Sequence, residues 1–266
     1  MSHRRPLILG IETSTDACSV ALTGPWPTRQ SFELNPRGHA ASLLPMIRDL
    51  LAQCGVEARQ LDALAFAAGP GSFTGLRIAA GVTQGLAFAL AKPVIPVSTL
   101  AAMAAGVGRR WRSAGQARPV EDCVVASDGA SPQACEAWPN ESSTAGDDAA
   151  ELRIVPLLDA RMAEVYVGQY RVCRKGQEAL SDDRLLPPAL VPLPPGGGPL
   201  VLAGSGLTYR HLLPPALLEQ VTWSVATCYP EALEVAELAL SAYHSGVVLP
   251  ADQAQPIYLR DEVAWQ

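Results

Sequence analysis

Gly69-Pro70-Gly71-Ser72-Phe73-Thr74-Gly75-Leu76-Arg77 marks a change from one kind of element to another. Ahead of it, Leu61-Asp62-Ala63-Leu64-Ala65-Phe66-Ala67-Ala68 is an almost unbroken apolar run, the pattern of a short buried strand. The Gly-Pro-Gly turn stops that strand, and Ser72 or Thr74 can accept the backbone N–H groups that a helix start leaves unpaired. Strand, turn and helix in this order predict an α/β layer. The same N–H groups could bind an anion, so Ser72, Thr74 and Gly75 carry a phosphate-binding reading beside the plainer reading of a capped turn. The loop lacks the Gly-Lys-Ser/Thr ending of a nucleotide-binding P-loop.

The helix that follows has no charged residue between Arg77 and Lys92. At 100° per residue, Ile78, Val82, Gly85, Leu86 and Ala89 share one face, with Arg77, Ala80, Gly81, Gln84, Ala87 and Phe88 roughly opposite. Both faces are small or apolar. Interior glycines cost about 1 kcal/mol each relative to alanine, so Gly81 and Gly85 forfeit about 2 kcal/mol of helix stability. Close approach of another helix would offset that loss, as would cover by the chain itself.

Upstream, Leu7-Ile8-Leu9-Gly10-Ile11 reads as a strand, Glu12-Thr13-Ser14-Thr15-Asp16 as a turn and Cys18-Ser19-Val20-Ala21-Leu22 as the returning strand. A helix comes next, with Leu43, Met46, Ile47, Leu50, Leu51 and Cys54 on one face and Arg48 and Asp49 turned away. Pro45 must sit in its first turn or kink it. Beyond Lys92-Pro93, Val94-Ile95-Pro96-Val97 is another strand, and Ser98 or Thr99 starts an alanine-rich helix, so the first half is βββαβαβ-like.

Further along, Ile154-Val155-Pro156-Leu157-Leu158 runs into Asp159-Ala160-Arg161-Met162, and Glu164-Val165-Tyr166-Val167-Gly168 returns. An acid again ends the first strand, which suggests two related halves, although strand, acid, turn and strand is a common order. From about Gly108 to Ala150 the pattern dissolves, and a mobile insertion is expected there. Leu186 through Pro199, rich in proline and glycine, is expected to be a linker or surface loop. Leu200-Val201-Leu202-Ala203 is a strand, and Pro230 begins a helix reaching about Ser245 with Leu233, Ala236 and Leu240 turned toward a core. The expected domains are residues 1–107, an insertion over 108–151, and 152–266, with the terminal helix packing back on the first lobe.

Of the 266 residues 48% are hydrophobic, enough for a substantial core, and only 17% are charged, which suits a surface that meets partners. A net charge of −6 argues against broad, unaided nucleic-acid binding, and Arg109-Arg110-Trp111-Arg112 is a small basic cluster that fits a solvated face. Six cysteines without a C-x-x-C pair, and no secretory signal, predict reduced thiols in a cytoplasmic protein. The apolar run from Ile78 to Leu90 is too short to span a bilayer, so no membrane partner is expected.

Glu12 and Asp159 could organise a metal-bound nucleotide through water or Mg²⁺, as acids after a first strand do in sugar-kinase and actin-like ATPases; turn-stabilising acids would stand in the same places. The four histidines form no H-x-x-x-H or H-E-x-x-H pair, and His39 reads as a cap or a solvent contact. Gly204-Ser205-Gly206 lacks the frame of a serine nucleophile.

Ile11-Glu12-Thr13-Ser14-Thr15, the Gly69-to-Arg77 motif, Pro96-Val97-Ser98-Thr99-Leu100, Asp159-Ala160-Arg161-Met162-Ala163-Glu164-Val165-Tyr166 and Pro256-Ile257-Tyr258-Leu259-Arg260 together resemble the TsaB family, also called YeaZ. The resemblance spans most of residues 7 to 108, resumes near Leu152 and recurs at the C-terminus. It implies an α/β, two-lobed actin-like ATPase fold of the ASKHA or RNase H-like kind, with duplicated βββαβα halves. It further implies a noncatalytic subunit, active only in company, that joins the catalytic paralogue TsaD and the ATPase TsaE to make N6-threonylcarbamoyladenosine at position 37 of tRNA. The tRNA would be met indirectly, through the complex. The partner surface would use the helices matching Leu43 to Cys54 and Gly75 to Leu90, with Leu43, Met46, Ile47, Leu50, Leu51, Arg77, Gly81, Gln84, Gly85 and Phe88 at the contact and a homodimer available to the free protein. No cofactor would be required, with weak ATP or ADP binding through Glu12, Ser72, Thr74, Gly75 and Asp159 left open, since Glu12 stands where many members carry Asp. The rival reading is an independent ATP-dependent phosphotransferase using Glu12, Ser72, Thr74 and Asp159.

Overall fold

The computed structural model describes residues 4–114, 151–173 and 176–260, and divides the chain into two compact units. The first comprises Met1–Ala102 with Pro230–Tyr258, and the second Met103–Tyr229 with Leu259–Gln266.

In the first unit, strands β1 (Ile8–Glu12), β2 (Ala17–Leu22), β3 (Arg29–Leu34), β4 (Ala63–Gly69) and β5 (Val94–Ser98) form one sheet in the order β3-β2-β1-β4-β5. β1 pairs antiparallel with β2 and parallel with β4, in the register Ile8–Ala63 to Ile11–Phe66. Helices α1 (His39–Cys54) and α2 (Phe73–Leu90) pack on one another, on β2 and on β4. The side chains beneath them are large: Leu9, Ile11, Val20, Leu22, Leu64 and Phe66. Alternate positions on the strands face the other way and are mostly small, Ala21, Ala63, Ala65 and Ala67 among them.

The small face receives the terminal helix of the unit, Ala232–His244, which lies against β1, β2, β4 and β5. A Cβ on Gly10 would come 2.7 Å from the carbonyl oxygen of Ala232, so helix and strand meet backbone to backbone. The face turned to the sheet is Ala232, Val235, Ala236 and Ala239; of the expected Leu233, Ala236 and Leu240, Ala236 is buried there and the two leucines pack, partly buried, at its margins. The helix start has no side-chain cap of its own. The sheet supplies one, with Ser19 Oγ accepting from Ala232 N at 2.9 Å and Gln30 Oε1 from Leu233 N at 2.7 Å.

On the other face, α2 is set by its first turn. The space for a Cβ on Gly75 is taken by the Thr13 carbonyl oxygen, Thr13 Oγ1 donates to the Gly75 carbonyl at 2.8 Å, and Ser72 N–H donates to the Ser14 carbonyl at 2.7 Å. The Gly69–Ser72 loop, with a cis bond at Pro70, is thereby fastened over the turn that ends β1. Ser72 is the N-cap, its Oγ accepting from Gly75 N at 3.4 Å. Pro45 lies inside α1, on an exposed position. His39 opens α1 but is buried, its Nε2 lying 3.0 Å from the Ala17 carbonyl, which places it in the core rather than in solvent.

The helix after β5, α3 (Thr99–Ala114), starts with Ser98 Oγ accepting from Ala101 N at 3.1 Å. It corrects the start of the expected insertion: the helix runs through Gly108, where the missing Cβ leaves room for Val172, and Arg112 Nη1 donates to the Cys173 carbonyl at 3.4 Å. Residues 115–150 of that insertion lie outside the described residues.

The second unit has β6 (Leu152–Asp159), β7 (Val165–Cys173), β8 (Gly176–Leu186), β9 (Leu200–Ala203) and β10 (Trp223–Val225) in the order β10-β9-β6-β7-β8. Strand connectivity and pairing sense repeat those of the first sheet, since β6 is antiparallel to β7 and parallel to β9. The helices do not repeat. Between β8 and β9, where the first unit has α1, there is a 3₁₀ turn at Pro188–Leu190, and between β9 and β10 come a 3₁₀ stretch, Ser205–Leu212, and the single turn α4 (Pro215–Leu218). The proline-rich stretch is a fixed surface loop. Buried Arg153 donates to the carbonyls of Pro194, Gly196 and Gly198 at 3.1, 2.9 and 2.8 Å. The helix Ala232–His244 is α5.

Two substitutions in one helix should act in opposite directions. Gly75→Ala should cost about 2 kcal/mol or more by forcing α2 off the Thr13 carbonyl. Gly81→Ala, where a Cβ meets nothing within 4 Å, should stabilise by about 1 kcal/mol. Urea unfolding of the two variants against the parent measures both.

Candidate functional site

Glu12 ends β1 and is fully buried, its carboxyl oxygens accepting from Ser14 N–H at 2.7 and 3.3 Å. Burial pushes its pKa from an ordinary 4.5 up to about 8, against the lowering effect of the Ser14 hydrogen bonds. At neutral pH this fully buried acid is largely protonated. Glu12 therefore sits at the end of β1 as a buried acid whose carboxyl turns back on the Ser14 backbone. Gly75 is buried as a packing position, whereas Ser72 and Thr74 are exposed at the α2 start.

Asp159 occupies the matching place in the second unit. Its Oδ1 accepts from Arg161 N at 2.8 Å and from Tyr209 hydroxyl at 3.2 Å, and Arg161 Nη1 lies 3.5 Å from Oδ2. Desolvation first, and the Asp159 charge second, raise the Tyr209 pKa. The turn beyond is unusual: Arg161, Met162 and Ala163 have φ of 65°, 55° and 56°, three successive left-handed residues with side chains. Arg260 braces it, donating to the Ala160 carbonyl at 3.2 Å, to Met162 Sδ at 2.9 Å and to the Glu164 carboxylate. Asp159 therefore organises a turn, with both oxygens engaged. Glu12, Ser72, Thr74 and Gly75 belong to the first unit and Asp159 to the second. Among the described residues no three His, Cys, Asp or Glu side chains are grouped to hold a metal ion.

The expected partner residues of α1 are placed differently from the reading above. Leu43, Ile47, Leu50 and Leu51 are buried in the core and Met46 packs against it, so this stripe faces the sheet. The outward face of α1 carries Leu44, Pro45 and Arg48 instead, with Leu44 52% exposed. The signal was available, since an apolar stripe at helical spacing seeks its own core first.

On α2, Leu76, Ala79, Ala80, Thr83 and Ala87 face the core, with Ile78, Val82 and Leu86 partly buried. Arg77, Gly81, Gly85 and Phe88 form one exposed stripe, and Phe88 is 84% exposed. Gly85 thus sides with Gly81, not with Ile78 and Val82. Among the described residues, neither glycine has a neighbour where its Cβ would be. Gln84 is tied back, donating to the Ala254 carbonyl at 2.8 Å. Because α2 begins at Phe73 rather than Ile78, it is by length and composition apolar enough to cross a membrane, but its inward face is spent on the core of the first unit. Sequence reasoning assigned no role to Tyr258, whose hydroxyl accepts from Arg77 Nε at 3.2 Å.

Comparison with known proteins fits this architecture. The family described as TsaD, tRNA N6-adenosine threonylcarbamoyltransferase, matches residues 33–136. The tRNA threonylcarbamoyladenosine biosynthesis protein TsaB of Escherichia coli (strain K12) is 32% identical over 263 residues, covering 97% of this chain and 96% of the relative. The protein of the same name from Haemophilus influenzae is 31% identical over 268 residues, covering 97% and 95%. Among solved structures, YeaZ from Pseudomonas aeruginosa is similar with a TM-score of 0.75 and 35% identity, over 96% of this chain and all of that one.

The buried acid predicts a pH dependence. Between about pH 4.5 and pH 8 the folded protein keeps the Glu12 proton that the unfolded chain has lost, so stability is greatest below that window and falls as pH rises through it. Glu12→Gln should remove this component of the slope. Urea midpoints of parent and variant at pH 5, 6.5 and 8 are the measurement.

Proposed function

Because the chain belongs to the TsaB (YeaZ) family, we propose that it is a subunit of the bacterial machinery that forms N6-threonylcarbamoyladenosine at position 37 of tRNAs reading ANN codons. Its part is that of a noncatalytic cytoplasmic scaffold, which pairs with TsaD and works with the ATPase TsaE. The observation that carries this reading is the outward stripe of α2. Gly81 and Gly85 together cost the free helix about 2 kcal/mol, and among the described residues no contact to their missing Cβ positions offsets it. A second helix seated against the notch would.

The burial of Glu12 supports a supporting role over independent phosphoryl transfer, and the two sheets of like connectivity support an actin-like fold with duplicated halves. Its own cofactor is not needed in this scheme. A negative overall charge is consistent with tRNA being held by the assembled complex. The free protein would pair with itself through the same stripe.

The test is to mix the purified chain with TsaD and TsaE and follow assembly and tRNA modification together. Gly81→Leu should leave the fold intact, weaken binding at least tenfold, about 1.4 kcal/mol, and lower modification in proportion. Unchanged assembly would count against the scaffold reading. ATP turnover by the chain alone, lost on Glu12→Ala, would favour the phosphotransferase.

A further inference from the structure

Arg77 is held on two sides and open on the third. Its Cζ lies 3.7 Å from the centroid of the Phe73 ring, one helical turn earlier on α2. Its Nε donates to the Tyr258 hydroxyl, and the Tyr258 ring lies 5.4 Å from that of Phe73 at 40°. The side chain is nonetheless exposed, and Tyr258 keeps 41% of its surface. Among the described residues, neither terminal guanidinium nitrogen has a hydrogen-bond or ion-pair partner.

An exposed arginine normally loses rotamer freedom on binding, and the ring and the hydroxyl have already removed much of it here. What remains free is a two-pronged donor edge, whose natural complement is a planar oxyanion bound through two parallel hydrogen bonds. The surroundings choose between a carboxylate and a phosphate. Arg77 is the sole charged residue of α2, and the stripe continues through Gly81 and Gly85 to Phe88. A nucleic-acid backbone presents closely spaced charges and needs several cations, on a chain whose net charge is −6. A protein helix carrying one acid beside small and apolar residues needs one.

We propose that Arg77, pre-set by Phe73 and Tyr258, receives an Asp or Glu carboxylate of the partner helix that docks on the α2 stripe, and that Tyr258 is a positioning residue for this contact. The proposal rests on the assembly reading above, with TsaD as the partner. It makes the segment around Tyr258 a support of the docking surface rather than a part that touches the partner.

Titration calorimetry with full-length TsaD tests it on variants whose melting temperatures match the parent. Arg77→Ala should weaken binding about 30-fold, as loss of a buried arginine anchor does. Arg77→Lys should weaken it about tenfold, since an ammonium keeps the charge but not the fork. Tyr258→Phe should cost about threefold, and nothing further when Arg77 is already alanine, because the hydroxyl acts through the guanidinium. Parent-like binding by Arg77→Lys together with additive effects of Tyr258→Phe would overturn the proposal while leaving the scaffold reading intact. So would variants that bind TsaD normally but lose affinity for tRNA, which would identify a phosphate, or that lose only self-association, which would identify a second copy. No complex of the parent with TsaD would remove the scaffold reading and the proposal together.

Discussion

The first turn of α2 lies directly on the backbone of the Thr13–Ser14 turn, with no side chain between them at Gly75. Much follows from that contact. It fastens the Gly69–Ser72 loop to the turn that follows Glu12, whose carboxyl is fully buried and therefore costly to charge. It also sets the rotation of α2, so that alanines and Thr83 meet the sheet while Arg77, Gly81, Gly85 and Phe88 point outward. A helix held through backbone contacts tolerates little rotation, and the outward stripe is therefore as fixed as the core beneath it.

The two acids at the ends of β1 and β6 show how one local device yields different electrostatics. Each carboxyl accepts the N–H of the residue two positions on, Ser14 for Glu12 and Arg161 for Asp159, which is what a turn after a strand requires. Glu12 is then covered and its pKa rises to about 8. Asp159 instead pairs with Arg161 and accepts a hydrogen bond from the Tyr209 hydroxyl. Position in the chain fixes the hydrogen bond; the cover above it fixes the protonation state.

The strand, turn and helix around Pro70, both hairpins and the inward stripe of α1 are legible because hydrophobic period and turn chemistry are local properties. Strand β4 and helix α2 shift by only a few residues from their expected ends. Less legible was which stripe a partner could reach. The spacing of Leu43, Ile47, Leu50 and Leu51 favoured the core over a partner, and the presence of β2 beneath α1 settles it. Gln84 could not be seen to be spoken for, nor Tyr258 to hold Arg77, since that pair is 181 positions apart.

By itself the sequence determined the order and approximate place of the main elements, that α2 carries a glycine notch and one charge, and that acids end two first strands, because these depend on neighbours along the chain. Tertiary structure alone decided which residues at the helix surfaces meet water, that α5 is capped by Ser19 and Gln30, and that burial raises the Glu12 pKa to about 8 while Asp159 stands beside Arg161 and Tyr209. Those outcomes depend on which distant backbone arrives at a given surface, and desolvation and close approach act only once it has arrived.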